Sequence, residues 1–233
     1  MDTKTLVLIG LIAGILIVGG VYFGFGKKTV SAQGLSTIEI EPDLVAVYFN
    51  AQVINKSAEA AKNEVADIVS KLESSLLDIV DEEDITTESF NIYPNYDYEH
   101  GGKITGYTAS QSIVVKTDRI DKTGRIVDNG VDAGALVSWI NFEMSNEHEE
   151  QVKAEALEKA AADSKSKAEA IARGLGKRLG GVIEVKTDYF NYYPLRYWEA
   201  EAAGGVSVKE AAVNIRPKDL EVSASVQVTY RIW

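Results

Sequence analysis

Any chemistry done by this 233-residue chain has few tools to draw on. Cysteine is absent, and His100 and His148 are the only histidines. Disulfides, thiolate nucleophiles, zinc–thiolate sites and iron–sulfur clusters are therefore excluded, and a histidine-rich metal site is out of reach. Asp81-Glu82-Glu83-Asp84 offers the carboxylates that suit calcium. It lacks the spacing and the glycine of an EF-hand, however, and reads as a solvated charged loop. Glu147-His148-Glu149-Glu150 fits the acidic first turn of a helix better than a metal site. Arg173-Gly-Leu-Gly-Lys177 resembles a phosphate loop at first sight. The first glycine such a loop requires would fall at Ile171, and the segment closes a helix instead of opening one. There is no Gly-x-Ser-x-Gly elbow, and no serine is paired with a histidine by any pattern. The expectation is a chain without catalytic residues, metal ligands or cofactor.

Tyrosine is the residue with something to say. Eight of the eleven tyrosines fall in two windows, Tyr93/Tyr96/Tyr98/Tyr107 and Tyr189/Tyr192/Tyr193/Tyr197. Core packing accounts for tyrosines at alternate strand positions. An exposed aromatic surface for a protein interface or a stacked ligand accounts for them equally well. Tyr93, Tyr96, Tyr98, Tyr189, Tyr192, Tyr193 and Tyr197 are the candidate surface. Asn55-Lys56-Ser57 is a glycosylation sequon, meaningful only outside the cytoplasm. The formal charge is −11, from 24 Lys+Arg and 35 Asp+Glu. Without residues 1–34, which hold Lys4, Lys27, Lys28 and Asp2, it becomes −13. Such a domain repels phosphate backbones, which argues against nucleic acid as a partner.

The amino terminus differs from the rest. Leu6 to Gly26 runs 21 residues without a charge. At 1.5 Å per residue that spans a hydrocarbon core of about 30 Å, so a transmembrane helix with the membrane as its partner is expected. Val30-Ser31-Ala32 before Gln33 has the small residues of a signal-peptidase site. The apolar stretch is longer than an ordinary signal core, and Lys27 and Lys28 interrupt the approach. A retained anchor is preferred over a cleaved signal peptide. Charge alone leaves the orientation near neutral. Gly10-xxx-Gly14 and Gly20-xxx-Gly24 suit close helix approach, or arise by chance.

Positioning falls to alternating strand and helix patterns after residue 34. Ser36–Glu41 and Leu44–Val53 alternate as strands. Ser57 is an N-cap for a helix to about Val80, with Ala61, Val65, Ile68, Leu72 and Ile79 on its buried stripe. Residues 85–98 and 103–118 read as strands joined by a turn at His100-Gly101-Gly102. A short helix over 120–132 and a strand over 136–144 follow. A long helix from about Glu147 to Ala172 stops at Gly174 and Gly176. Its buried face is Val152, Ala156, Ala160, Ala168, Ile171 and Leu175. Strands over 181–193 and 220–232 close the chain, with 199–214 an excursion between them. The order repeats: Thr87-Glu-Ser-Phe90-Asn-Ile-Tyr-Pro94 matches Thr187-Asp-Tyr-Phe190-Asn-Tyr-Tyr-Pro194. Two duplicated β-α-β-β units with antiparallel sheets and helices on one side make an α+β fold. Phe90 and Phe190 are expected to be buried at equivalent positions. The domains are then 1–33, anchor and linker, and 34–233.

These residues resemble the SIMPL-domain family, which includes periplasmic immunogenic proteins and a periplasmic protein of oxidative-stress defence. The resemblance rests on Glu41-Pro-Asp-Leu-Val-Ala-Val, Ile85-Thr-Thr-Glu-Ser-Phe-Asn-Ile-Tyr-Pro and Ile104-Thr-Gly-Tyr-Thr-Ala-Ser. Phe142-xx-Ser145, the helix ending Lys167-Ala-Glu-Ala and the last Val-x-Val-x-Tyr strand add to it. It covers the chain after residue 34. It implies an extracytoplasmic domain that forms ring-like or channel-like homo-oligomers, and it supplies no catalytic residues. The expected function is a membrane-anchored, extracytoplasmic, non-enzymatic oligomerising domain tied to envelope or oxidative-stress defence. The alternative is a binding protein that holds a small molecule or peptide on the tyrosine-rich surface.

Overall fold

The computed structural model describes residues 28–198 and 217–233, and for 188–189 and 195–198 the backbone alone. The apolar segment 6–26 with its glycine spacings, and the excursion at 199–214, lie outside the described residues. Among the described residues no helix is long and apolar enough to cross a membrane.

The fold is α+β. Its elements run β1 (Thr29–Ile40), β2 (Leu44–Asn55), α1 (Ala58–Leu76), β3 (Ile85–Asp97), β4 (Lys103–Thr117), α2 (Thr123–Ala133), β5 (Leu136–Glu143), α3 (Asn146–Gly174), β6 (Leu179–Tyr192), β7 (Leu195–Trp198) and β8 (Leu220–Ile232). They make a five-stranded sheet, β3-β4-β2-β5-β7, and a three-stranded sheet, β1-β8-β6. The chain divides into two compact units. Of the described residues, one holds 28–36, 155–190 and 223–233, and the other 37–154, 191–198 and 217–222.

The second of these is built on β2. Its odd-numbered side chains Val45, Val47, Phe49 and Ala51 point to one side and are buried, as strand alternation requires. Val47 pairs with Val115 and Phe49 with Ile113 across the antiparallel ladder to β4. Ser57 caps α1 by accepting from the Ala60 amide at 3.4 Å, and Ala61, Val65, Val69, Leu72 and Leu76 face the sheet. Helix α2 comes so close to β2 that Gly130 lies against the Phe49 ring, where a Cβ has no room. Gly134, at φ 96°, ends α2 in the left-handed region that glycine tolerates.

The other unit is made from the two ends of the described chain. The Ile232 amide donates to the Lys28 carbonyl, and Arg178 and Trp233 exchange backbone hydrogen bonds, so β8 lies antiparallel between β1 and β6. Its core joins Val30 and Ala32 to Val226, Val228, Tyr230 and Ile232 beneath Ala160, Ala168 and Ala172 of α3. The alanine face has its counterpart in Gly34, which lies against Ala160 and Ser164. The Ser164 hydroxyl donates to the Ala32 carbonyl at 3.0 Å, a side-chain bond that binds helix to strand.

Four expectations are corrected. First, β1 begins at Thr29 and not at Ser36, because Val30 and Ala32 are core residues. Second, Phe90 is 46% exposed, since it stands on β3, an edge of the sheet that α1 covers only in part. Phe190 is half-buried. Third, Ile171 and Leu175 are 43% and 62% exposed, with Ala172 at the buried position instead. Fourth, the two halves of the repeat are connected unexpectedly. β3-β4-β2 in one sheet corresponds to β6-β8-β1 in the other, so β1 takes the place that chain order would give to β5. β5 instead pairs with β2 and, on its far side, with the short β7, which its periodicity did not reveal.

Candidate functional site

Strand β3 is an edge of the five-stranded sheet, and most of its side chains are exposed. Phe90 and Ile92 pair with Gln111 and Ala109 of β4 and so lie on the helix side. Helix α1 covers β2 and β4 but leaves them in solvent, at 46% and 38% exposure. Tyr93, opposite Thr108, points to the other side. The ladder slips between Thr87 and Ser89 and between Asn95 and Tyr96, the irregularities common on sheet edges. Tyr96 and Tyr98 follow at the hairpin tip, their ring centroids 6.0 Å apart. Asp97 holds that tip by accepting from the Glu99 and His100 amides at 3.0 and 3.1 Å. Strand β6 repeats the arrangement. Leu179 packs on the core, so by alternation Ile183 and Val185 lie on the same side, and both are exposed.

Among the described side chains the tyrosines therefore do not converge. Tyr93, Tyr96 and Tyr98 spread along an open strand and its tip, Tyr107 is half-buried beside them, and Tyr193 is 74% exposed. The side chains of Tyr189 and Tyr197 lie outside the described residues. Tyr192 differs from the others. Burial raises its pKa, with Glu149 and Glu143 adding to the effect, while Lys116 and a hydrogen bond with the Met144 backbone oppose it.

That tyrosine belongs to a polar cluster which spacing did not reveal. On the face of the sheet away from α1, Tyr48 and Trp139 are cross-strand partners with ring centroids 4.8 Å apart. Lys116 Nζ is 2.8 Å from Glu143 Oε2, and this bond raises the lysine pKa. Asn141 Nδ2 donates to Glu143 Oε1 at 3.3 Å, and its Oδ1 is buried without a hydrogen-bond partner. Only strand pairing brings residues 48, 116, 139 and 143 together.

The structure also joins two motifs far apart in sequence. Asp43, in the β1–β2 turn, accepts from the Ser145 amide and the Ser145 hydroxyl, both at 2.6 Å. Ser145 in turn caps α3, its Oγ accepting from the His148 amide at 3.2 Å. His148 Nδ1 lies 3.5 Å from Asp43 Oδ2. Serine, histidine and aspartate thus meet, but in the wrong order for nucleophilic catalysis. The hydroxyl is given to the carboxylate, whereas a triad needs it aimed at the imidazole. The group is a helix cap. Burial pushes the Asp43 carboxyl up, but the two Ser145 bonds and His148 outweigh it and hold the pKa below its ordinary value.

The acidic run is a 3-10 turn, Glu82–Asp84, with Asp81 bound to Arg119 at 3.0 Å. Among the described residues no three His, Asp or Glu side chains are grouped to hold a metal ion.

A family model, SIMPL, "Protein of unknown function (DUF541)", matches residues 30–230. The "Uncharacterized protein YggE" of Edwardsiella ictaluri is 27% identical over 168 residues, 71% of this chain and 70% of its own. Its namesake in Escherichia coli strain K12 is 26% identical over 179 residues, covering 75% and 72%. The "26 kDa periplasmic immunogenic protein" of Brucella melitensis is 26% identical over 166 residues, covering 68% and 65%.

Proposed function

The chain belongs to the SIMPL family, and on that premise we propose that it is a membrane-anchored, extracytoplasmic domain that self-associates and carries no catalytic chemistry of its own. The observation that carries the reading is the pair of edge strands, which no other described strand covers. β3 and β6 leave Phe90, Ile92, Ile183 and Val185 in solvent on the side where each unit has its core. Edge strands with apolar exposure invite pairing with another chain unless something covers them. The periplasmic name of the Brucella relative supports the location, and the uncharged stretch 6–26 supports the anchor. A role in envelope or oxidative-stress defence has the family resemblance as its support. The absence of cysteine and the capping role of Ser145 support a non-enzymatic reading.

A second reading, a small molecule or peptide held on the tyrosine-rich surface, has the neighbouring Tyr96 and Tyr98 rings in its favour. Light scattering on residues 28–233 over a range of concentrations separates the two. Self-association gives a mass of several copies that falls on Phe90→Ser or Tyr96→Ser substitution. A one-copy mass at high concentration would leave only the binding reading. For the location, protease added to cells with a permeabilised outer envelope should digest the domain. Full protection there would place it in the cytoplasm.

A further inference from the structure

We propose that the copies join head to tail, with the β3 edge of one copy pairing in parallel with the β6 edge of the next. This rests on the self-association reading and names the two surfaces it uses.

Among the described residues each strand ends its own sheet, and each is long, 13 and 14 residues. Both have a row of backbone groups facing away from the sheet and an apolar strip that the neighbouring helix does not reach. Geometry alone would allow β3 to pair with β3, β6 with β6, or β3 with β6. Charge decides among them.

No lysine or arginine stands between Lys71 and Lys103. The helix-to-strand connection that leads into β3 carries Asp81, Glu82, Glu83 and Asp84, of which Asp81 alone is bound to Arg119. The equivalent connection in the other half of the repeat leads from α3 into β6 and carries Arg173, Lys177 and Arg178 instead. The duplication has thus kept the strand and reversed the charge of its approach. Pairing β3 with β3 sets acidic strands side by side, and pairing β6 with β6 leaves the acidic connection of each copy without a basic partner. Like charges across a ladder are unfavourable. Pairing β3 with β6 in parallel sets the acidic connection beside the basic one, the arrangement that electrostatic complementarity selects. Because the two surfaces differ, the contact leaves each copy with one free edge of each kind. It therefore propagates, and it closes into a ring where the rotation between copies allows.

The absence of cysteine makes the test clean. Phe90 and Val185 are both exposed, so Phe90→Cys and Val185→Cys leave the core intact. Aligning the strand starts sets these positions close together, and a bis-maleimide of ~10 Å reach absorbs a slip of about two residues. The full chain is purified in mild detergent, its mass is measured by light scattering, and it is then cross-linked. The expected result is a covalent dimer from a mixture of the two single variants, none from either alone, and a ladder from the double variant. In a second arm, Lys177→Glu with Arg178→Glu weakens association by about tenfold or more, and mixing with Glu82→Lys/Glu83→Lys chains restores it. Cross-linked dimer from one single variant alone overturns the head-to-tail contact. So does an assembly whose mixture gives no product, and either result leaves self-association standing. A one-copy mass before cross-linking overturns the self-association reading itself.

Discussion

Gly34 and Gly130 are positions where one methyl group decides whether two elements can meet. A Cβ on Gly34 would run into the Ala160 carbonyl and the Ser164 backbone of α3, and one on Gly130 into the Phe49 ring. Backbone cannot step aside as a flexible side chain can. Gly34→Ala should therefore cost at least the ~1–3 kcal/mol of ordinary overpacking. Gly181→Ala, with nothing within 4 Å, is the control expected to stay near neutral, with urea denaturation as the measurement. Asp43 makes a prediction about pH. Its carboxyl titrates lower in the fold than in the unfolded chain. The stability it contributes is therefore present above the ordinary carboxylate pKa and is lost as pH falls through the lowered folded value. Asp43→Asn should be less stable than the parent at neutral pH. The gap should begin to narrow as pH falls below about 4, where the unfolded chain takes up the proton first, and should close only below the lowered folded value. A gap that is constant across the acid range would show that the charge does not matter. Ser145→Ala removes the cap itself and should cost about 1 kcal/mol.

Among the elements, β3 and β2 look alike in sequence and behave differently in the fold. Phe49, fully enclosed on β2, should lose about 3–5 kcal/mol on truncation to alanine. Phe90→Ser on the edge should stay within about 0.5 kcal/mol, read from thermal unfolding of the dissociated chain at low concentration. A large loss there would mean that Phe90 packs more deeply than its exposure indicates. The contrast also shows what was legible. Strand alternation, the Ser57 cap, the glycine stops and the alanine face of α3 are local signals, and each is found in place. Whether a strand is central or at the edge is not local. It depends on partners such as Val115 for Val47, far along the chain, and so the apolar texture of β3 suggested a burial it does not have. Ile171 and Leu175 are apolar but lie off the buried face of α3, which runs through Ala168 and Ala172. The Asp43–Ser145 cap and the Lys116–Glu143 cluster were invisible for the same reason, although Asp43 and Ser145 both stood in motifs already noticed.

For the molecule as a whole, the placement of β1 matters most. Val30 and Ala32 are core residues of one unit, so the domain needs the chain from Lys28 onward. A fragment starting at Lys28 should unfold cooperatively at a clearly higher temperature than one starting at Gly34, which leaves β8 without part of its neighbour. Equal melting points would show that the first residues of β1 are dispensable. The same placement has a consequence for synthesis. The four strands β3, β4, β2 and β5 find one another early, since all are made before α3, and only the short β7 joins β5 later. β1 pairs late: its Gln33 meets Ser225 of β8 across a separation of 192 residues. At translation rates of about 5–20 residues per second, the nascent strand waits roughly 10–40 s for a partner made 192 residues later. During that interval its open rim is available to any other unpaired strand nearby, including the same strand on a neighbouring nascent chain.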